Sequence, residues 1–401
     1  MKHPNPKNAR EAQGVVWSAV ACHRSVERRS LLRAAGKPFA LRWSFAIFLT
    51  AATAQADDIS TLLEPLRAKH DVPALAAAAI QDGKLVAIGA TGLRCSGKPE
   101  KVTVDDQWHL GSCTKSMTAS AIAALVDKGV IHWDTKVGTA LEKLAPKMNP
   151  GWKDVPLELL LGHRAGAPHE PPPALWAEAH QRRGSEEQQR KVFVRGLLET
   201  APDPKPGTGF VYSNQGYSIA AAMASAATGK AWEAWIAENV FKPLDLKSAG
   251  FGAAGTPGKR DQPWGHDQKD GQLHSYGPGP NADNPPAIWP GGGVHMSITD
   301  FARYAAWHAE GARLLKPESF QKLHTPLAGQ DYACGWIVTQ RPWGGTVLTH
   351  NGTNTVNYAV MWISPEKKFA VVAACNMGGD EAAKACDDAC AMLIGRVLEK
   401  K

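Results

Sequence analysis

Residues 57–401 carry no excess charge of either sign. The formal net charge of +7 arises from nine Lys or Arg against two Glu in residues 1–56, which leaves 36 basic and 36 acidic side chains in the remainder. No basic stripe is left to support nucleic-acid binding. Metal-ligand spacing is missing as well: His163 and His169 belong to no H-E-x-x-H, no C-x-x-C occurs, and Cys386 and Cys390 fall four apart. Neither a metal nor another cofactor is expected. There is no G-x-S-x-G, since Gly216-Tyr217-Ser218-Ile219-Ala220 has no second glycine, which argues against a nucleophile elbow. No internal repeat is evident. The apolar run nearest the N-terminus, Trp43–Leu49, is too short to span a bilayer.

What is present is enough for one large or two ordinary cores: 401 residues, 44% of them hydrophobic and 21% charged. The basic leader has an explanation of its own. Arg33, Lys37 and Arg42 precede the Trp43–Leu49 run, and Ala54-Gln55-Ala56 supplies the small residues a signal peptidase reads. Cleavage after Ala56 is expected, leaving residues 57–401 as one periplasmic or secreted domain without a stable membrane span. Arg28-Arg29-Ser30-Leu31-Leu32 weakly matches a twin-arginine signal, and a retained N-terminal anchor is the alternative. Six cysteines would remain, Cys95, Cys113, Cys334, Cys375, Cys386 and Cys390, an even number that permits disulfides without choosing among fifteen pairings. Cys113 reads as a small buried hydrophobe.

The densest chemical signal is Ser112-Cys113-Thr114-Lys115 at the head of an apolar helix, whose stripe runs through Met117, Ala121, Ala124 and Leu125 to a stop at Gly129. Residues three apart share a helix face, so the Lys115 amine can reach the Ser112 hydroxyl. The helix N-terminus favours developing negative charge and disfavours an ammonium, which suits a nucleophile beside a neutral base. Downstream, Tyr212-Ser213-Asn214 supplies a phenol and a carboxamide before another apolar helical run, and His350-Asn351-Gly352-Thr353 lies between two β-rich segments.

Elsewhere, 59–69 reads as a helix, and 74–80 and 85–90 as strands about Asp82-Gly83. Further strands are expected at 335–339, 346–350, 357–363 and 369–375, with a closing amphipathic helix over 381–398. The fold class is therefore α/β in the broad α+β sense. An antiparallel sheet, drawn from about 57–134 and 295–401, is flanked by N- and C-terminal helices, and about 135–294 is a mostly helical inserted region. The Pro- and Gly-rich stretches 169–174 and 276–293 read either as walls of a cleft or as surface excursions.

Serine with x-x-Lys, then Tyr-x-Asn, then a basic residue with x-Gly, in that order, resembles the serine β-lactamase and penicillin-binding-protein family. The likeness is to its class C β-lactamase, D-Ala-D-Ala carboxypeptidase and esterase branch. WHLGSCTKSMTA, LELLLGHRAGAP, PGGGVHMSITDFARYAAW and the segments from YACGW to AACNMG are similar too, so the resemblance covers about residues 58–400. It implies a β-lactamase/transpeptidase-like fold and a serine hydrolase that works through an acyl-enzyme. Ser112 would be the nucleophile, and Lys115 and Tyr212 would be the base in a division left open here. Asn214 would orient Lys115 and donate to the substrate. The N–H groups of Ser112 and Thr353 would form an oxyanion hole, with Gly352 allowing close approach. His350 departs from the lysine usual in class C β-lactamases. An imidazole with a reference pKa of about 6.5 holds a substrate carboxylate poorly at neutral pH, and acid pH is expected to create the missing charge.

The expected partner is a small ester, amide or D-amino-acid peptide, hydrolysed by an exported serine hydrolase. A true class C-like β-lactamase is one alternative. A non-catalytic binder of cell-wall peptide or another ligand is the other.

Overall fold

The computed structural model describes residues 56–311 and 313–398. The proposed leader and its signal motifs fall on residues 1–56, nearly all of them outside that range. The core is a seven-stranded sheet in the order 57–58, 84–92, 74–81, 369–375, 358–364, 345–353, 337–341. Every neighbouring pair is antiparallel except the first, where Asp57–Asp58 runs parallel to Ala87 and Ile88.

The two-residue period of a strand explains how one run of small residues serves two layers. In Ala74–Gln81, Ala74, Ala76, Ala78 and Ile80 pack into the core beneath the helical region, while Leu75, Ala77 and Ala79 pack against the opposite layer. Phe369–Cys375 divides the same way, with Ala370, Val372 and Ala374 on one face and Phe369, Val371, Ala373 and Cys375 on the other. The second face is covered by the helices Ser60–Lys69 and Asp380–Leu398, the latter through Ala382, Ala385, Cys386, Ala389 and Leu393 at helical spacing. N- and C-terminal pieces thus share one sheet, as the sequence implies. The last edge strand lies later than expected, at Ile337–Arg341, because residues 333–336 form a tight loop in which Ala333 N donates to Trp336 O and Gly335 N to Ala333 O.

The inserted region is helical, with Glu186–Glu199 and Asn214–Thr228 as its longest helices, and two small β elements that the periodicity does not announce lie within it or join it to the flanking segments. Gln107–His109, Val294–Ser297 and Gly250–Phe251 make a three-stranded sheet, and Gly265–Lys269 pairs with Gln272–Tyr276 as a hairpin. Their strands are two to five residues long, too short to show alternation.

The helix Thr114–Asp127 runs between these layers and is buried on all sides from Thr114 to Leu125, so its apolar stripe is only part of its covered surface. Its polar side chains are satisfied internally. Ser116 Oγ donates to Cys113 O at 2.8 Å, Thr118 Oγ1 donates to Pro290 O at 2.8 Å, and Thr114 Oγ1 accepts from Val294 N at 3.0 Å.

All six described cysteines are free thiols and buried, Cys113 among them. No helix among the described residues is long and apolar enough to cross a membrane.

Candidate active site

Ser112 sits in the short turn Gly111–Cys113 that leads into the helix Thr114–Asp127, and it is half-buried. One turn on, Lys115 is fully buried, with Nζ 3.0 Å from Ser112 Oγ. Two further oxygens surround the amine, Asn214 Oδ1 at 2.5 Å and Gly291 O at 2.7 Å. None of these partners is a carboxylate. Burial therefore dominates and holds Lys115 well below the ordinary lysine range.

Asn214 reaches this position because the residue before it takes the capping role. Ser213 accepts from Gly216 N at 3.1 Å and donates to Pro168 O at 2.6 Å, so Asn214 is the first helical residue rather than the cap. Tyr212 precedes both. Its ring lies 4.6 Å from Lys115 Nζ, and burial pushes its phenol well above the usual value even though the neighbouring Ser112 hydroxyl acts in the other direction.

His350 lies in the strand Gly345–Thr353, and the state anticipated for it needs correction. It is 3% exposed. Nδ1 lies 2.5 Å from Asn351 O, a pure acceptor, so Nδ1 carries the hydrogen and Nε2 accepts from the Tyr332 hydroxyl at 3.0 Å. Both ring nitrogens are thus occupied in the neutral form. Burial, with nearby Lys115 adding to it, pushes the imidazole down to about 3. Mild acid does not create the charge that the reference value suggests.

Gly352 and Thr353 end the same strand against the Ser112 turn. A Cβ on Gly352 would overlap the Leu110 carbonyl and Ser112 N, and one on Gly111, at φ +48°, would overlap Thr353 N. The two backbones approach to a distance that only glycine allows. All seven residues singled out in the sequence, Ser112, Lys115, Tyr212, Asn214, His350, Gly352 and Thr353, fall in this connected set.

Sequence reasoning missed other members. The carbonyl of Gly291 has no side-chain signature, although it lies in the PGGGV segment. His163, within LGHRAG, packs its ring 4.5 Å from Tyr212, 4.7 Å from Tyr332 and 5.4 Å from Tyr217, and its Nδ1 accepts from Ser213 N. Only parts of the stretches at 169–174 and 276–293 adjoin the site, and the remainder includes exposed residues and the end of a hairpin. His169 Nδ1 meets Tyr212 O at 2.7 Å, and the turn Pro286–Gly291 delivers the carbonyls that Thr118 and Lys115 use. Among the described residues no cluster of His, Cys, Asp or Glu could hold a metal ion.

A family model described as Beta-lactamase matches residues 59–391. Penicillin-binding protein 4 of Amycolatopsis lactamdurans is 28% identical over 183 residues, 46% of each chain. The chain spans about half the length of the curated relatives it matches. Among solved structures, the octameric penicillin-binding protein homologue from Pyrococcus abyssi aligns with a TM-score of 0.69 and 25% identity over 84% of this chain and 76% of its own. The D-amino acid amidase from Ochrobactrum anthropi SV3 aligns with a TM-score of 0.65 and 19% identity over 84% and 97%, a likeness of fold.

Proposed function

The chain belongs to the Beta-lactamase family of serine hydrolases, and we propose that it is an exported hydrolase that opens small esters, amides or D-amino-acid peptides through an acyl-enzyme on Ser112. One observation carries this reading: a fully buried amine without a carboxylate partner lies 3.0 Å from a half-buried hydroxyl. A neutral Lys115 has two N–H groups and one lone pair. Asn214 Oδ1 and Gly291 O take the two hydrogens, which leaves the lone pair for the Ser112 O–H.

In this reading Ser112 Oγ attacks the substrate carbonyl carbon as its proton passes to Lys115. The ammonium so formed keeps its two carbonyl acceptors, which favour the charged state once it exists. The carbonyl oxygen, now negative, is held by the N–H groups of Ser112 and Thr353. Lys115 then returns the proton to the leaving group, and water opens the acyl-enzyme by the reverse use of the same groups. Tyr212 serves as a protonated donor beside the leaving group, since its raised phenol opposes a phenolate base. In this proposal the division of labour left open in the sequence falls to Lys115.

A neutral, enclosed His350 favours esters, amides and peptides over an efficient β-lactamase, because it offers no fixed charge to a substrate carboxylate. The D-amino acid amidase of similar fold agrees with the amide end of this range. Export rests on the basic leader with its apolar run and its small residues before Asp57. Mass spectrometry after exposure to a fluorophosphonate tests the nucleophile. The adduct is expected on Ser112 and lost in a folded Ser112→Ala variant, and an adduct mapping to Ser213 or Cys113 would sink the assignment.

A further inference from the structure

Asp283 is a buried carboxylate that none of these steps uses. Its side chain is 2% exposed and lies between the turns Pro280–Ala282 and Pro286–Gly291. Burying a charge is costly unless polar partners surround it. Here they come from three parts of the chain and gather about one oxygen: Asn284 N and Asn354 Nδ2 donate to Oδ1 at 2.8 and 3.2 Å, and His109 Nε2 lies 2.9 Å from it as a close polar contact that is not aligned as a hydrogen bond. Oδ2 is buried without a hydrogen-bond partner, and so is His109 Nε2, which faces the carboxylate by proximity alone. The nearby Arg182 spends its Nη2 on the segment's backbone instead, donating to the carbonyls of Pro280, Asp283 and Asn284 at 3.0, 2.6 and 3.1 Å. That grip fixes where the carboxylate stands.

Two of the three partners lead to the N–H groups assigned to the oxyanion. His109 Nδ1 accepts from Gly111 N at 3.1 Å, so Nε2 carries the hydrogen and faces Asp283. Gly111 is the residue before Ser112. On the other side, Asn354 follows Thr353, and its Nδ2 also donates to Ala282 O at 2.9 Å while its Oδ1 accepts from Asn357 Nδ2 at 3.1 Å. Thr355, next in line, holds φ +78°, a conformation that a β-branched residue rarely adopts. Such strain persists where surrounding contacts over-determine the backbone, and it concentrates at functional sites.

We infer that Asp283 is a positioning residue. Through His109 it holds the Gly111–Ser112 turn, and through Asn354 it holds the Thr353 end of the neighbouring strand, so that two N–H groups from distant parts of the chain can share one substrate oxygen. The inference rests on the reading of Ser112 as nucleophile, and it concerns the transition state rather than substrate affinity.

The test uses the full chain, p-nitrophenyl butyrate as substrate and phenylboronic acid as the probe of tetrahedral geometry. Boron accepts the Ser112 Oγ electron pair while Lys115 takes the proton, and the boronate oxygen occupies the oxyanion position. Asp283→Ala is expected to lower kcat by ~10-fold or more, short of the ~100-fold loss of a whole donor. KM should stay within about threefold, and boronate affinity should fall in step with kcat/KM. A merely structural role would lower the thermal midpoint and leave folded enzyme with parental kcat and boronate affinity. That result overturns the inference. Should Asp283→Ala fail to fold, His109→Phe decides by the same two readouts, since it keeps the ring and removes both nitrogens. A parent chain without Ser112-dependent turnover sinks the nucleophile reading and this inference with it, whereas Ser112-dependent turnover indifferent to both variants sinks the inference alone.

Discussion

The proposed reaction places its proton transfers on one atom, the Nζ of Lys115. Its amine is fully buried, faces three oxygens and meets no carboxylate, and burial holds it well below the ordinary lysine range. Lys115→Ala should therefore reduce kcat for ester hydrolysis at least ~100-fold, the lower range for a positioned base, with covalent labelling of Ser112 slowed in proportion. Retained turnover would return the role of base to Tyr212. His350 makes a second residue-scale prediction. Because burial holds it down to about 3, it stays neutral from about pH 5.5 to 8, and the ratio of ester to penicillin kcat/KM should be flat across that range. A ratio shifting toward penicillin below about pH 6.5 would show that the imidazole titrates near its reference value.

At the scale of elements, the helix Asn214–Thr228 shows how local capping places a functional group. Ser213 supplies the cap, and Asn214 is thereby set at the first helical position with its Oδ1 on Lys115. Ser213→Ala should cost about 1 kcal/mol of stability in urea unfolding, the usual worth of such a cap. It should also lower kcat, because the capping hydroxyl ties this helix start to Pro168 O as well. Full activity with reduced stability would mean that Asn214 is held by its other contacts. The sheet was legible for a simpler reason. Runs such as Ala74–Gln81 and Phe369–Cys375 are apolar on both faces, which marks strands covered by layers on either side. The small sheet and the hairpin of the inserted region were not legible, because strands of two to five residues have no period to read.

Across the whole molecule, several histidines are buried in the neutral form. Burial holds His295 and His324 down to about 4 and His350 to about 3, against an unfolded value of about 6.5. Below that unfolded value the unfolded chain binds protons that the folded chain does not. Their contribution is therefore full above about pH 6.5 and is lost as pH falls toward about 4, at ~1.4 kcal/mol per pH unit for each group. Asp387, pushed up to about 6 by burial, acts oppositely between about pH 6 and 4 and offsets roughly one of them. Urea midpoints should thus fall between pH 7 and 5 by the equivalent of several kcal/mol. A midpoint that does not move would contradict neutral burial of these rings.

The sequence by itself determined what is local or periodic. Ser112 and Lys115 lie one helical turn apart, and that spacing alone lets amine and hydroxyl meet. The order of Ser-x-x-Lys, Tyr-x-Asn and His-x-Gly marked the family, and continuous apolar runs of strand length at both ends of the chain marked a shared sheet. Tertiary structure decided the electrostatics. Burial by layers from distant segments holds Lys115 well below the ordinary lysine range, and its acceptors are a carboxamide and a backbone carbonyl brought from 99 and 176 residues away. His350 differs from its reference behaviour for the same reason, since a proton's affinity depends on surrounding atoms rather than on neighbours in sequence. The carboxylate of Asp283 beside His109 and Asn354 left no mark in the sequence. Backbone groups and single polar side chains acquire such roles only where folding makes them converge and excludes the water that would otherwise compete for them.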